Sequence, residues 1–166
     1  MRFEDLMKMR RLGDIDLSPD GKWVLLTVTD VDLESNTRTP HLWVVPVKGG
    51  EEKPVTASQA GESNGRFSPD GKQILFLSAR GGVSQIYLAA FDAASGNIGA
   101  AQDLTHLSTG AGDAIWSPDG ASVLFTSSVY PACNGPDEDT CDKQRDQEQE
   151  ASKVKAQIFT HLLFRH

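Results

Sequence analysis

One tetrapeptide occurs three times, as Ser18-Pro19-Asp20-Gly21, Ser68-Pro69-Asp70-Gly71 and Ser117-Pro118-Asp119-Gly120, at spacings of 50 and 49 residues. Each part of it has a turn-forming reason. Proline presets φ for the first central position, aspartate hydrogen-bonds nearby backbone, and glycine accepts positive φ without strain. An apolar residue precedes each copy (Leu17, Phe67, Trp116), and Val24-Leu25-Leu26, Ile74-Leu75-Phe76 and Val123-Leu124-Phe125 follow at a fixed offset. Such β-branched and aromatic runs on both sides of a tight turn predict strand, hairpin, strand, three times over.

The match between repeats extends past the turn. Trp43 and Tyr87 fall at equivalent positions of a third strand, Val55-Thr56 and Leu104-Thr105 at those of a fourth, and Asp14, Asn64 and Asp113 each stand four residues before the serine. In the first repeat the polar segment Asp30 to Pro40 reads as a loop before the third strand Leu42 to Val47; in the second, Arg80-Gly81-Gly82 plays that part. The third repeat departs after Ser128 into Tyr130-Pro131, a cysteine-bearing loop and a charged stretch from Asp142 to Lys155. That stretch reads as a short helix with an Asp142–Arg145 pair, followed by a strand-like run from Ala156 to Arg165. Ahead of everything, Phe3, Leu6, Met7 and Met9 lie among charges that are acidic early and basic late, which suits a short helix.

Four short antiparallel strands recurring about every 45–50 residues are the pattern of propeller blades, since one such sheet cannot bury both faces without neighbours. The predicted fold is therefore all-β, a partial β-propeller of four-stranded antiparallel blades, with a short N-terminal helix and a helical excursion in the third blade. Its expected boundaries are a helix over 1–12, blade one over 13–57, blade two over 58–106 and a partial blade three over 107–166. Closed propellers need at least about four blades, so two blades and part of a third predict the front portion of a longer protein.

Composition removes some functions. The formal charge of −7 is concentrated between Cys133 and Ser152, where seven acids face Lys143 and Arg145, and no basic stripe suits a nucleic acid. No stretch approaches the roughly 18 apolar residues of a membrane span. The two cysteines, Cys133 and Cys141, suit a disulfide in an oxidising compartment and free thiols in a cytosol; a bridge would favour a periplasmic or secreted place over a cytoplasmic one.

Candidate chemistry is sparse. Gly61-Glu62-Ser63-Asn64-Gly65 has the Gly-x-Ser-x-Gly form of a nucleophile elbow, but an elbow needs a strand before the serine and a helix after it, and here a polar loop precedes and a strand follows. His41, His106, His161 and His166 share no spacing with an acid or a serine and read as surface histidines. Asp137, Glu138, Asp139 and Asp142 lack the alternation and central glycine of a calcium loop. Asp20, Asp70 and Asp119 read as turn formers, and Trp23 and Tyr130 as exposed rim residues open to peptide contact, with packing between blades the alternative for Trp23. No catalytic, cofactor-binding or metal residue is assigned, and no cofactor is expected.

Phe3-Glu4-Asp5-Leu6-Met7, then Arg10-Arg11-Leu12-Gly13, then Leu17 through Val24, resemble the opening of the propeller in bacterial prolyl oligopeptidase-family serine peptidases, in the acylaminoacyl-peptidase and dipeptidyl-peptidase-like branch. The third-blade excursion and the closing Leu163-Phe164-Arg165-His166 extend the resemblance through the whole chain. The resemblance implies an α/β-hydrolase domain after the propeller, carrying a Ser-Asp-His triad, and a propeller that covers the active site and filters peptide substrates by size. None of the triad falls within this sequence, and Glu148-Gln149-Glu150 is not the family's paired-glutamate grip on a substrate amino terminus. The turn motif also occurs in the non-enzymatic Tol-type propeller, a protein-binding platform, which stands as the alternative.

Overall fold

The computed structural model describes residues 2–56 and 58–153. The chain divides into two compact units, Met1–Ser128 and Val129–His166. The strand-like run from Ala156 to Arg165, His161, His166 and the closing Leu163-Phe164-Arg165-His166 lie outside the described residues.

The first unit opens with a five-residue helix α1 (Phe3–Met7), and the chain is already strand from Arg11, so helix covers only part of segment 1–12. Strands β1 (Arg11–Leu17), β2 (Trp23–Asp32), β3 (Thr37–Pro46) and β4 (Lys53–Pro54) form an antiparallel sheet in that order. A second sheet repeats the plan with β5 (Glu62–Phe67), β6 (Gln73–Ser78), β7 (Gln85–Asp92) and β9 (Gln102–Asp103), and the two-residue β8 (Asn97–Ile98) adds a fifth strand beside the end of β7. The third sheet has β10 (Gly112–Trp116) paired with β11 (Val123–Thr126). This is two blades and the first hairpin of a third.

Each tetrapeptide closes the first hairpin of its sheet with the same hydrogen bonds. In the first copy the Gly21 amide donates to the Ser18 carbonyl at 2.8 Å and the Ser18 amide to the Trp23 carbonyl at 2.9 Å. The Ser18 hydroxyl donates to Asp20 Oδ1 at 2.7 Å while accepting from the Trp23 amide at 2.9 Å. Asp20 Oδ1 also accepts from the Lys22 amide at 3.1 Å. The other two copies reproduce this network, and the three glycines take φ of 68°, 69° and 70°. That left-handed conformation is the reason for glycine at the fourth position. Successive turns stand near one another: a Cβ on Gly71 would lie 3.4 Å from Pro19 Cδ and one on Gly120 3.5 Å from Pro69 Cδ, ordinary van der Waals distances.

The segment Asp30 to Pro40, expected as a loop, belongs to a long hairpin. Asp30 pairs with Thr39, Val31 with Arg38 and Asp32 with Thr37. β-Branched Val31, Thr37 and Thr39 sustain the strands despite the polar composition, and the turn is only 33–36, held by Asp32 Oδ1 accepting from the Glu34 amide and by the Ser35 hydroxyl on Asp32 Oδ2. The fourth strands, expected to open at Pro54 and Asp103, open one residue earlier and end at those residues, as Lys53–Pro54 and Gln102–Asp103. Even so, the Val55 amide donates to the Leu42 carbonyl and the Leu104 amide to the Ile86 carbonyl, both at 2.8 Å, so the equivalence between blades holds.

Packing follows from strand alternation. Leu25, Leu42, Val44 and Val55 of the first sheet meet Phe67, Ile74, Phe76, Ala89 and Phe91 of the second in one buried cluster. On the other face of the second sheet Leu75 and Ile86 meet Ala111 and Ala114. Each buried Val, Leu, Ile or Phe among them contributes about 1.5–3 kcal/mol. Leu25 and Leu75 are 1% and 0% exposed, whereas Leu124, at the matching place in the third sheet, is 69% exposed.

The second unit is small. A disulfide joins Cys133 to Cys141. Helix α2 (Glu138–Ala151) starts four residues before Asp142, with Glu138 and Asp139 favouring its positive end. Arg145 pairs with Glu148 at 3.5 Å, and Asp142, expected to meet Arg145, is buried and accepts from the Tyr130 amide at 2.9 Å.

Candidate functional site at the first blade junction

Bulges in the first strand of each sheet shape this region. Pairing registers shift between Leu12 and Ile15, Ser63 and Arg66, and Gly112 and Ile115, so the recurrent Asp14, Asn64 and Asp113 sit in bulges; Asn64 and Asp113 take φ of 53° and 48°. A bulge re-aims the side chains beside it. The open edge of β5 is capped from both neighbouring sheets: Asp16 Oδ2 accepts from the Phe67 amide at 2.8 Å, and Trp116 Nε1 donates to the Arg66 carbonyl at 3.4 Å.

Just ahead of the second bulge lies Glu62, whose side chain has no solvent access. Arg80 Nη2 approaches Glu62 Oε1 at 3.1 Å, His41 Nδ1 lies 3.4 Å from Oε2, and the Thr56 hydroxyl donates to Oε1. Arg80 is itself held: its Nε donates to the Ser78 hydroxyl at 3.2 Å, and its guanidinium lies 4.6 Å from the Tyr87 ring centroid and 5.6 Å from that of Phe76. Arg80 is only part-exposed, so charge attraction and ring contact act together where water screens them weakly. His41 and Thr56 come from the first blade, Glu62 and Arg80 from the second, and the cluster fastens the two. A groove lined by Thr39, His41, Trp43, Pro54 and Thr56 opens beside it.

Sequence reasoning missed this cluster, though a signal was present: Glu62 stands at the repeat position held by Leu12 in the first blade and Ala111 in the third. An acid where its equivalents are apolar marks a site with its own partners.

Ser63, the serine of the Gly-x-Ser-x-Gly pattern, lies within β5 opposite Leu77, so it is part of a ladder and not of a strand-to-helix turn. His106 is exposed, 2.8 Å from Asp103. Asp137 precedes α2, Glu138 and Asp139 occupy its first turn, and Asp142 turns to the Tyr130 amide. Among the described residues no three His, Cys, Asp or Glu side chains are gathered to hold a metal ion. Trp23 packs between blades, its Nε1 donating to the Ala93 carbonyl at 2.8 Å and its ring edge-on to Phe91 at 5.9 Å. The Tyr130 hydroxyl is engaged with Asp146 at 2.7 Å and Gln149 at 2.9 Å. The carboxyls of Asp20, Asp70 and Asp119 are held below the ordinary value of 3.8, first by the serine hydroxyl of each turn and then by the backbone N–H two residues on.

No protein-family profile matches the chain. Among curated proteins it is 28% identical over 159 residues to the uncharacterized peptidase YuxL of Bacillus subtilis, covering 95% of this chain and 23% of that one. It is 27% identical over 163 residues to dipeptidyl-peptidase 5 of Porphyromonas gingivalis, covering 98% and 22%. Among solved structures it matches acylaminoacyl peptidase of Pyrococcus horikoshii at TM-score 0.59 and 22% identity, over 73% of this chain and 18% of that one. The β-propeller domain of the Trilobed protease of Pyrococcus furiosus matches at 0.54 and 21% identity, over 72% and 34%. A protein of Agrobacterium tumefaciens assigned as TolB matches at 0.55 and 24% identity, over 72% and 39%. The fold is that of a β-propeller segment, the curated relatives are peptidases, and the chain spans less than a quarter of their length.

Proposed function

We propose that this chain is the leading propeller portion of a serine peptidase of the prolyl oligopeptidase family, acting on short peptides or on acylated amino-terminal residues. The observation that carries the reading is the match of nearly the whole chain to two bacterial peptidases of about four times its length. The chemistry belongs to a following α/β-hydrolase domain, where a serine activated by histidine forms and releases an acyl-enzyme. This portion supplies the wall that admits short peptides and excludes folded proteins. Blades over 13–57, 58–106 and 107–166 are its units, and the remaining blades pack on the open faces of the first and third. The Cys133–Cys141 bridge supports a periplasmic or secreted place.

The test is the complete protein with chromogenic dipeptide and acylaminoacyl substrates, alongside residues 1–166 alone. Hydrolysis by the complete protein, blocked by a serine-directed fluorophosphonate, with none by residues 1–166, is the expected result. A complete protein that neither cleaves these substrates nor takes the label overturns the reading in favour of a binding platform of the Tol kind. Cleavage by residues 1–166 that Ser63→Ala abolishes overturns the assignment of chemistry to a later domain.

A further inference from the structure

We propose that the Cys133–Cys141 disulfide is a redox latch on the acidic excursion: α2 is ordered while the bridge is closed and released as a flexible acidic segment when it is reduced, with the blades unaffected.

The argument begins with what α2 lacks. Its sequence, EDTCDKQRDQEQEA, has Cys141 and Ala151 as its only apolar side chains, so no apolar stripe is available to bury. Its N-cap, Asp137, makes no side-chain capping bond, and its last turn holds no basic residue to meet the negative end. A helix of 14 residues is marginal by itself. Few apolar residues and a local net charge of −5 between Cys133 and Ser152 are, moreover, the composition of a disordered segment.

Within the second unit α2 is held along one face. Cys141 is bonded to Cys133, which is buried and whose amide donates to the Tyr130 carbonyl at 2.8 Å. Asp142 accepts the Tyr130 amide at 2.9 Å, and Asp146 and Gln149 share the Tyr130 hydroxyl at 2.7 and 2.9 Å. Residues 142, 146 and 149 are spaced i, i+4, i+7, so the phenol lies along two turns of helix. These polar contacts need Tyr130 and the helix start to be kept together, and the disulfide keeps them together through eight residues of chain. Units this small rely on such staples because their apolar burial is slight.

Opening the latch is a balanced two-electron exchange. A thiolate of an external dithiol attacks one sulfur of the bridge, the S–S bond breaks and a mixed disulfide forms; the dithiol's second thiolate then displaces the protein sulfur. Cys133 and Cys141 end as thiols and the dithiol as its cyclic disulfide.

The test is amide hydrogen exchange on the full chain, oxidised and after dithiothreitol, with Cys133→Ser examined without reductant. Reduction is expected to lower the protection of amides in 142–151 by a factor on the order of 30 or more, the loss a removed staple implies. The same loss is expected in Cys133→Ser, while Leu75 and Ile86 keep their protection in every sample. Three results overturn the proposal: α2 protection that survives reduction or Cys133→Ser, two free thiols in oxidatively produced protein, or loss of protection at Leu75 and Ile86 along with α2. None depends on whether the complete protein is a peptidase.

Discussion

A carboxylate without solvent access must be answered by charge and hydrogen bonds, and Glu62 receives both, from Arg80, His41 and Thr56. Removing the strongest partner of such a group costs more than the contact contributes, because Glu62 stays buried with only His41 and Thr56 to answer it. Arg80→Ala is expected to destabilise the chain by about 3–5 kcal/mol in urea unfolding, part of it from the lost contact with Tyr87 and Phe76. The double change Glu62→Leu with Arg80→Met is expected to recover most of that loss; a double variant no better than the single one would show that ring packing, and not the buried charge, is what Arg80 contributes.

The turn aspartates act at the same scale through pH. Asp20, Asp70 and Asp119 are held below 3.8 by hydroxyl and backbone donors. Because the folded value is the lower one, their stabilisation is complete above the unfolded carboxyl range and is lost as pH falls through the folded value. A series of melting temperatures from pH 7 to pH 2 should therefore decline below about pH 4, and the triple Asp→Asn variant at 20, 70 and 119 should decline less. An unchanged acid limb in that variant would assign acid unfolding to other carboxyls.

At the scale of elements, what was legible in the sequence is what repeats. The three hairpins, the apolar stretches of the third strands and the place where the third blade departs could be read because turn chemistry and strand alternation are local and recur. Serine's part in the turn was less visible: turn chemistry assigns it no role, yet its hydroxyl ties the aspartate to the far strand. The polar tip of the β2–β3 hairpin was misread because residues exposed on both faces carry no alternation. Its turn, Asp32 to Asn36, shares an Asp-x-x-Ser pattern with Asp92 to Gly96, where the Ser95 hydroxyl again meets the aspartate. The Glu62 cluster needed tertiary pairing that spacing does not encode. Close approach between sheets was equally hidden: a Cβ on Gly65 would lie 2.7 Å from Leu25 Cδ2 and 3.0 Å from Leu42 Cδ2. Gly65→Ala should lower stability by about 1–3 kcal/mol through overpacking, measured as a shift in the thermal midpoint. Ala114, at the matching place of β10, is fully buried without such a glycine, so the constraint belongs to the first junction and not to the repeat.

For the molecule as a whole, the repeated interface predicts what its two open faces are for. Leu17 occupies the position of Phe67, which is buried against the first blade, and Leu124 that of Leu25 and Leu75; both leucines are exposed, at 56% and 69%. In residues 1–166 alone, Leu17→Asp and Leu124→Asp remove little buried surface and should change stability by no more than about 0.5 kcal/mol. In the complete protein proposed above, the same positions face neighbouring blades, and a carboxylate buried there without a partner should cost several-fold more, about 2–5 kcal/mol. Parallel urea unfolding of the two lengths measures the difference. The contrast isolates one quantity, whether further blades cover these faces, because the substitutions and the local strands are the same in both. Equal and small effects in the two lengths would mean that the faces stay open to solvent, and that the first and third blades mark the ends of the propeller segment instead of its interior.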